Sequence, residues 1–265
     1  GMLTSIPELS LGLNAILLDD PEIYVGNLLG GVIVIFLFII PLLAIIGNGI
    51  IITKQLNQSN TVATLITIAA PCVLLLDKKI TNIDGLVMIL LYILLLFFIQ
   101  KRKGLIAAVG NISAKHKVNY LDSIIRIVIG VIIVYFTSQF MVERTKYFSQ
   151  IFQVSPFLIS LLGLSLGTNM PELSLAIRSV LLGKRDIAMG DYMGSAAVNT
   201  LLFGAFNIFN RAPNVINGNF YITFLFIVVS LLFFYLFSRS KNNISRNEGI
   251  VLLSLYVVFL ITELL

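Results

Sequence analysis

Long apolar stretches separated by short polar connectors run along the whole chain. The apolar runs cover residues 4–18, 26–53, 60–76, 84–100, 121–142, 152–182, 188–209, 218–238 and 248–265. A helix needs about 20 residues to cross a bilayer, so the first run is too short to span it, and the sixth is long and interrupted. Because hydrocarbon offers the backbone no hydrogen-bond partners and no alternating strand pattern is present, these runs predict helices. The pattern therefore predicts an all-α, multi-pass membrane protein.

Composition supports a place in the cell membrane. Of the 265 residues, 58% are hydrophobic and only 12% are charged, whereas a soluble domain has about 25% charged residues. This excludes an ordinary soluble enzyme and a disordered chain. The single cysteine, Cys72, excludes a disulfide framework, and the single histidine, His116, excludes a three-histidine metal site.

The basic residues predict the orientation in the membrane. If the connector 101–120 is cytoplasmic and the spans alternate from there, the inner connectors hold eleven Lys and Arg residues and the outer ones hold five. This asymmetry follows the positive-inside rule and predicts that the basic connector 101–120 lies in the cytoplasm. The net charge of +5 is explained in this way, so we expect no nucleic-acid partner.

An internal repeat relates the start of the chain to its second half. Thr4-Ser-Ile-Pro-Glu8 aligns with Thr168-Asn-Met-Pro-Glu172, and without any gap 11 of the 28 positions from 4–31 are identical to those from 168–195. The second copy begins five spans after the first, so the two copies cross the membrane in opposite directions. Inverted repeats with interrupted helices are typical of secondary transporters that bind ions near the midplane.

The repeat carries two carboxylates into apolar segments. Glu8 and Glu172 each follow a proline, which frees backbone carbonyls upstream. An intramembrane charge is costly unless it is paired, hydrated or bound to an ion. The alternative is that both residues lie at helix ends and reach water. Oxygen atoms also come from the side chains of Thr4, Ser5, Thr168 and Asn169. An all-oxygen shell of this kind suits hard cations such as Ca²⁺ and Na⁺.

At these residues the sequence resembles the cation/calcium exchanger superfamily, which includes the sodium/calcium exchangers. The second copy reads Gly167-Thr-Asn-Met-Pro-Glu172, followed by Gly190-Asp-Tyr-Met-Gly-Ser195-Ala-Ala-Val-Asn199. The resemblance implies ten transmembrane helices in two inverted five-helix repeats. It also implies an antiporter, not an enzyme, that needs no cofactor and moves Ca²⁺ or another cation against Na⁺ or H⁺ by alternating access. We expect a first repeat at 1–100, which lacks the first helix and part of the second at its N-terminus. We expect the connector at 101–120 and the second repeat at 121–265.

The resemblance also implies the ion ligands. Glu8 and Glu172 would be the principal metal ligands. The other ion-binding residues would be Thr4, Ser5, Thr168, Asn169, Ser195 and Asn199.

Several positions depart from the exchanger pattern. Asn199 stands where sodium/calcium exchangers commonly have an acid, Gly31 replaces a serine, and Ile35 replaces an amide that should face the site beside Glu8. These changes motivate an alternative function, a degenerate homologue that does not transport and binds ions or a partner for a structural or regulatory role. Asp191 is open to two interpretations, a residue on the ion path or a helix cap.

Overall fold

The computed structural model describes residues 4–51, 58–102, 120–182, 185–210, 214–215, 220–239 and 243–265. The α-helices are α1 Ile6–Leu17, α2 Pro21–Ile33, α3 Ile40–Ile46, α4 Gln58–Leu74, α5 Asn82–Arg102, α6 Tyr120–Phe152, α7 Pro156–Ile159, α8 Ser165–Thr168, α9 Met170–Leu181, α10 Arg185–Phe209, α11 Phe220–Arg239 and α12 Arg246–Leu264. A π-helical segment, Val34–Ile39, joins α2 to α3, and another, Ser160–Leu164, joins α7 to α8. The strands are β1 Ile50–Ile51, β2 Lys79–Ile80, β3 Asn214–Val215 and β4 Asn243–Ile244.

Within the described residues, six helical segments are long and apolar enough to cross a membrane. They are Pro21–Ile46, Ser59–Asp77, Asn82–Ile99, Ile124–Phe152, Phe220–Arg239 and Arg246–Leu264. The predicted all-α, multi-pass fold is therefore confirmed. The short first run forms α1, and the interrupted sixth run divides at Asn169 into the broken helix Pro156–Thr168 and α9.

The correspondence between the two repeats extends far beyond the aligned motif. When the alignment of Thr4 with Thr168 is continued without gaps, α1 and α9 begin and end at equivalent positions, and α2 and α10 begin at equivalent positions. The same alignment relates β1 to β3 and β2 to β4. Since β1 pairs with β4 and β2 pairs with β3, each antiparallel pair joins one repeat to the other, and exchanging the repeats converts one pair into the other. This pseudo-symmetry agrees with the predicted inverted repeat.

The broken helix of repeat two packs against α2 of repeat one. A Cβ atom at Gly26 would overlap the Phe157 carbonyl oxygen, and one at Gly30 would overlap the Leu161 carbonyl oxygen. The absence of side chains at both glycines lets the two backbones approach closely. Glu22, which is buried, accepts a hydrogen bond from the Phe157 N–H at 3.5 Å. This packing places the C-terminal end of the broken helix, at Thr168, in the interior.

Helix α6 lies at the edge of the bundle and is anchored to repeat one by polar contacts. Only 6% of the most apolar 18-residue stretch within Ile124–Phe152 is buried. Asn14 of α1 donates a hydrogen bond from Nδ2 to Ser138 Oγ at 2.9 Å. Near the end of α1, Lys146 Nζ donates to the Leu18 carbonyl at 2.9 Å and lies 3.6 Å from Asp20 Oδ2. These contacts fix the position of α6 along α1.

Candidate ion-binding site

The two short helices α1 and α9 begin inside the protein with a Pro-Glu pair. Both start after a break, and the residues at the two breaks, Ser5 and Asn169, have nearly the same backbone angles, with φ of −87° and −89°. Proline is well suited to the first turn, because its missing N–H has no partner there. Glu8 and Glu172 lie in the first turns, where the helix dipole favours negative charge. Their exposed fractions are 1% and 0%, so neither carboxylate reaches the protein surface.

Glu172 has one oxygen fixed by a neighbouring helix. Ser195 of α10 donates a hydrogen bond from Oγ to Glu172 Oε1 at 2.6 Å, and the same hydroxyl lies 3.3 Å from Ser5 Oγ. The Thr4 hydroxyl also interacts with the Glu172 carboxylate. The second oxygen, Oε2, is buried and has no hydrogen-bond partner among the described residues. The protein therefore positions one oxygen of Glu172, and within the described residues it provides no hydrogen bond to the other.

Glu8 differs because both of its oxygens are unpartnered within the described part of the chain. The Thr168 hydroxyl is near the Glu8 carboxylate but donates its proton to Asn27 Oδ1 at 3.1 Å. The Glu8 and Glu172 carboxylates are close enough to repel each other. A cation between them would remove this repulsion and compensate the burial of the charges.

Two buried amides add neutral oxygens to the same region. Asn169 Nδ2 donates to the Ser165 carbonyl at 2.8 Å, and Asn199 Nδ2 donates to the Leu28 carbonyl at 3.3 Å. These bonds orient both amides so that each Oδ1 atom has no hydrogen-bond partner among the described residues. Both Nδ2 atoms lie close to Gly31, at 3.0 and 3.1 Å from the position of an added Cβ.

The site thus holds five buried oxygens without hydrogen-bond partners in the part of the chain that the structure describes. They are both Oε atoms of Glu8, Oε2 of Glu172, and the Oδ1 atoms of Asn169 and Asn199. Leaving a buried acceptor unsatisfied costs about 1–3 kcal/mol, and more for a charged group. Within the described residues, no three His, Cys, Asp or Glu side chains come together. An oxygen set with two carboxylates suits a hard cation rather than Zn²⁺ or Cu²⁺.

The structure brings the residues selected from the sequence together. Seven of the eight candidate residues are buried, and Thr4 is half-buried. The seven are Ser5, Glu8, Thr168, Asn169, Glu172, Ser195 and Asn199. Ile35 is fully buried in the π-helical segment after α2, away from lipid. Asp191 lies well inside α10 and interacts electrostatically with Glu172, so it does not cap that helix.

Asn27 was not selected from the sequence as a site residue. It is fully buried and accepts the Thr168 hydrogen bond. The alignment of the two repeats pairs Asn27 with Asp191, and the exchanger-like motif begins with Gly26-Asn27. The motif was the indication that could have identified it.

Comparison with known proteins gives a consistent result. The family described as sodium/calcium exchanger protein matches residues 1–101 and 123–265. A membrane protein of Methanocaldococcus jannaschii is 26% identical over 258 residues, covering 96% of this chain and 81% of the relative.

Two solved structures share the fold. The sodium/calcium exchanger from Methanococcus jannaschii matches with a TM-score of 0.67 at 24% identity, over 97% of this chain and 81% of that one. The H⁺/Ca²⁺ exchanger CAX matches with a TM-score of 0.69 at 19% identity, over 96% of this chain and 70% of that one. The expected resemblance is confirmed over nearly the whole sequence, and the chain belongs to the sodium/calcium exchanger family.

Proposed function

We propose that this chain is a secondary active cation antiporter that exchanges Ca²⁺, or a chemically similar cation, for Na⁺ or H⁺. The observation that carries the proposal is the cluster of five buried oxygens from Glu8, Glu172, Asn169 and Asn199 that have no hydrogen-bond partner among the described residues. In a folded protein such atoms are normally hydrogen-bonded, and a hard cation is a ligand that buried carboxylate and amide oxygens can bind instead.

The negative charges of Glu8 and Glu172 limit how many cations of each kind the site can hold. Two ionised carboxylates balance one Ca²⁺, and they also balance two Na⁺ ions or two protons. Exchange at a common site then follows from competition, because the carboxylates cannot serve both sets of ions at the same time. The proposed ligands are Glu8 and Glu172, with Thr4, Ser5, Thr168, Asn169, Ser195 and Asn199 completing the shell.

The repeat architecture supports transport by alternating access around this site. The ligands come from both repeats and lie at the broken starts of α1 and α9, which are the irregular positions where transporters place ions. Because the repeats are related by pseudo-symmetry, the site near the midplane can be opened to one side by a movement that mirrors its opening to the other.

The test is transport by the purified chain in liposomes. We expect ⁴⁵Ca²⁺ uptake when the liposomes are loaded with Na⁺ or with acid, and no uptake without a gradient of either ion. The double variant Glu8→Gln/Glu172→Gln should abolish the uptake. Glu143→Gln, at an exposed position of α6, should leave it intact. Ca²⁺ binding to the parent without gradient-driven uptake would instead support a non-transporting homologue.

A further inference from the structure

The alignment of the two repeats pairs two contacts that cross between them. Ser195 of repeat two contacts Ser5 of repeat one, with 3.3 Å between their Oγ atoms. The symmetry-related positions are Gly31 of repeat one and Asn169 of repeat two. They are also in contact, because Asn169 Nδ2 lies 3.0 Å from the position of a Cβ at Gly31. The same contact is therefore made by two serines on one side of the site and by glycine and asparagine on the other.

The sizes of the residues are reciprocal. Relative to the Ser5–Ser195 pair, the second pair lacks a side chain at position 31 and has a larger one at position 169. The Asn169 amide fills the space that a side chain at 31 would occupy, and the Asn199 amide lies beside it, with its Nδ2 3.1 Å from the same Cβ position. A side chain at 31 would therefore crowd two amides whose Oδ1 atoms have no hydrogen-bond partner among the described residues.

We propose that Gly31 is a specificity-determining residue that acts as a pair with Asn169. This inference rests on the proposed function and refines it. The Asn169 Nδ2 atom lies nearest position 31, and the carbonyl of the same amide offers a ligand oxygen from repeat two in place of the hydroxyl that a serine at 31 would bring from repeat one. Of the five unpartnered oxygens described above, two belong to Glu8, and the other three belong to repeat two, on Glu172, Asn169 and Asn199.

The exchange of ligands changes the ion that the site prefers. A hydroxyl both donates and accepts hydrogen bonds, whereas an amide oxygen only accepts them. The amide group also has a larger dipole than a hydroxyl. Asn carbonyls are regular Ca²⁺ ligands. Asn199 carries no charge, so on the repeat-two side the proposed ligands besides Glu172 include the neutral oxygens of Asn169 and Asn199. The dipoles of these two amides would stabilise a divalent ion. Gly31 is therefore not the simple loss of a ligand, and a serine at 31 would displace amides instead of adding a useful oxygen.

The test is a double-mutant cycle on Gly31→Ser and Asn169→Ser, read out by Ca²⁺ and Na⁺ binding in calorimetry and by thermal unfolding in ion-free buffer. Gly31→Ser alone overpacks the contact, and we expect a loss of about 4 °C in Tm and roughly tenfold weaker Ca²⁺ binding. Asn169→Ser alone replaces the amide oxygen with a hydroxyl on a shorter side chain and should also weaken Ca²⁺ binding roughly tenfold. The double variant recreates a Ser–Ser pair, so it should recover the parent Tm and bind Ca²⁺ more tightly than Gly31→Ser alone, while its preference for Ca²⁺ over Na⁺ falls below that of the parent.

A neighbouring glycine provides the matched control. Gly30→Ser meets the Leu161 carbonyl of the backbone instead of the Asn169 amide. It should lower Tm, and Asn169→Ser should not rescue it. Additive losses in the Gly31/Asn169 double variant, near a hundredfold in affinity, would overturn the pairing.

The two proposals are separated by the two measurements. If the parent binds no cation, the proposed function fails, whereas the Tm cycle is measured without ions. Recovery of Tm in the double variant would then still establish that Gly31 and Asn169 pack as a pair. If Tm does not recover, the packing pair is overturned together with the proposed function.

Discussion

On the repeat-two side of the candidate site, Glu172 receives a hydrogen bond from Ser195, and its other oxygen has no hydrogen-bond partner among the described residues. On the repeat-one side, both oxygens of Glu8 are without a hydrogen-bond partner among the described residues, and the position equivalent to Ser195 is Gly31. The backbones of the two sides are nearly the same, since Ser5 and Asn169 have matching angles at the helix breaks. The pseudo-symmetry is thus maintained in the main chain, and the two halves differ in the side chains proposed to contact the ion.

This difference shows which features of the repeat are required by the fold. The Pro-Glu helix start, the common spacing of the elements and the two strand pairs recur in both halves because each one shapes the scaffold. The residues at 31 and 35 are under no such constraint from the strand pairs or helix starts, and they differ from their equivalents Ser195 and Asn199. The scaffold therefore tolerates different side chains at these positions in the two repeats.

The largest expected effect comes from the carboxylates themselves. Glu8→Gln or Glu172→Gln leaves a divalent ion half neutralised in a site of low dielectric constant. We expect Ca²⁺ affinity to fall about a hundredfold in each variant, which corresponds to about 2.7 kcal/mol. Na⁺ affinity should fall less, because the Coulomb term scales with the charge of the ion. Calorimetric titration with each ion measures both losses.

A second readout of the same variants distinguishes the two halves. In ion-free buffer at pH 8, Glu8→Gln should raise the Tm more than Glu172→Gln, because the Glu8 carboxylate accepts no hydrogen bond from the described residues that the change could weaken. Equal Ca²⁺ affinity in a variant and the parent would remove that residue from the ligand set. Equal Tm changes would show that the Ser195 hydrogen bond does not distinguish the two carboxylates.

The sequence predicted the fold and the candidate site residues, but it did not predict how those residues contact one another. Apolar runs predicted the helices because hydrocarbon leaves the backbone no alternative. The repeated Thr-x-x-Pro-Glu motif identified Glu8 and Glu172 because an acid is rare in such segments. The reason for Gly31 was not predictable, because it depends on the Asn169 amide, which is distant along the chain and is in contact only across the repeat interface.

A smaller effect is expected from Ser195, whose hydroxyl has no counterpart at Gly31. Ser195→Ala removes the 2.6 Å hydrogen bond to Glu172 Oε1 and makes the repeat-two side resemble the repeat-one side. A hydrogen bond to a charged group contributes about 1.5–3 kcal/mol, part of which is recovered when the free carboxylate turns toward the ion. We expect Ca²⁺ binding to weaken about tenfold. Ser179→Ala on α9, where the hydroxyl donates to the Ala176 carbonyl, is the control and should bind Ca²⁺ like the parent.

The smallest expected effect is a gain on the repeat-one side. Ile35 is the equivalent of Asn199 and is fully buried, which agrees with a position that faces protein rather than lipid. If its side chain faces the site beside Glu8, Ile35→Asn adds an amide oxygen there, and Ca²⁺ or Na⁺ affinity should rise a few-fold, which is about 1 kcal/mol or less. If the side chain instead faces the apolar core, the new amide is unsatisfied and costs about 1–3 kcal/mol of stability with no gain in binding. Calorimetry and thermal unfolding of the same sample separate these outcomes, and a lower Tm with unchanged affinity would show that the two repeats are not equivalent beyond Gly31.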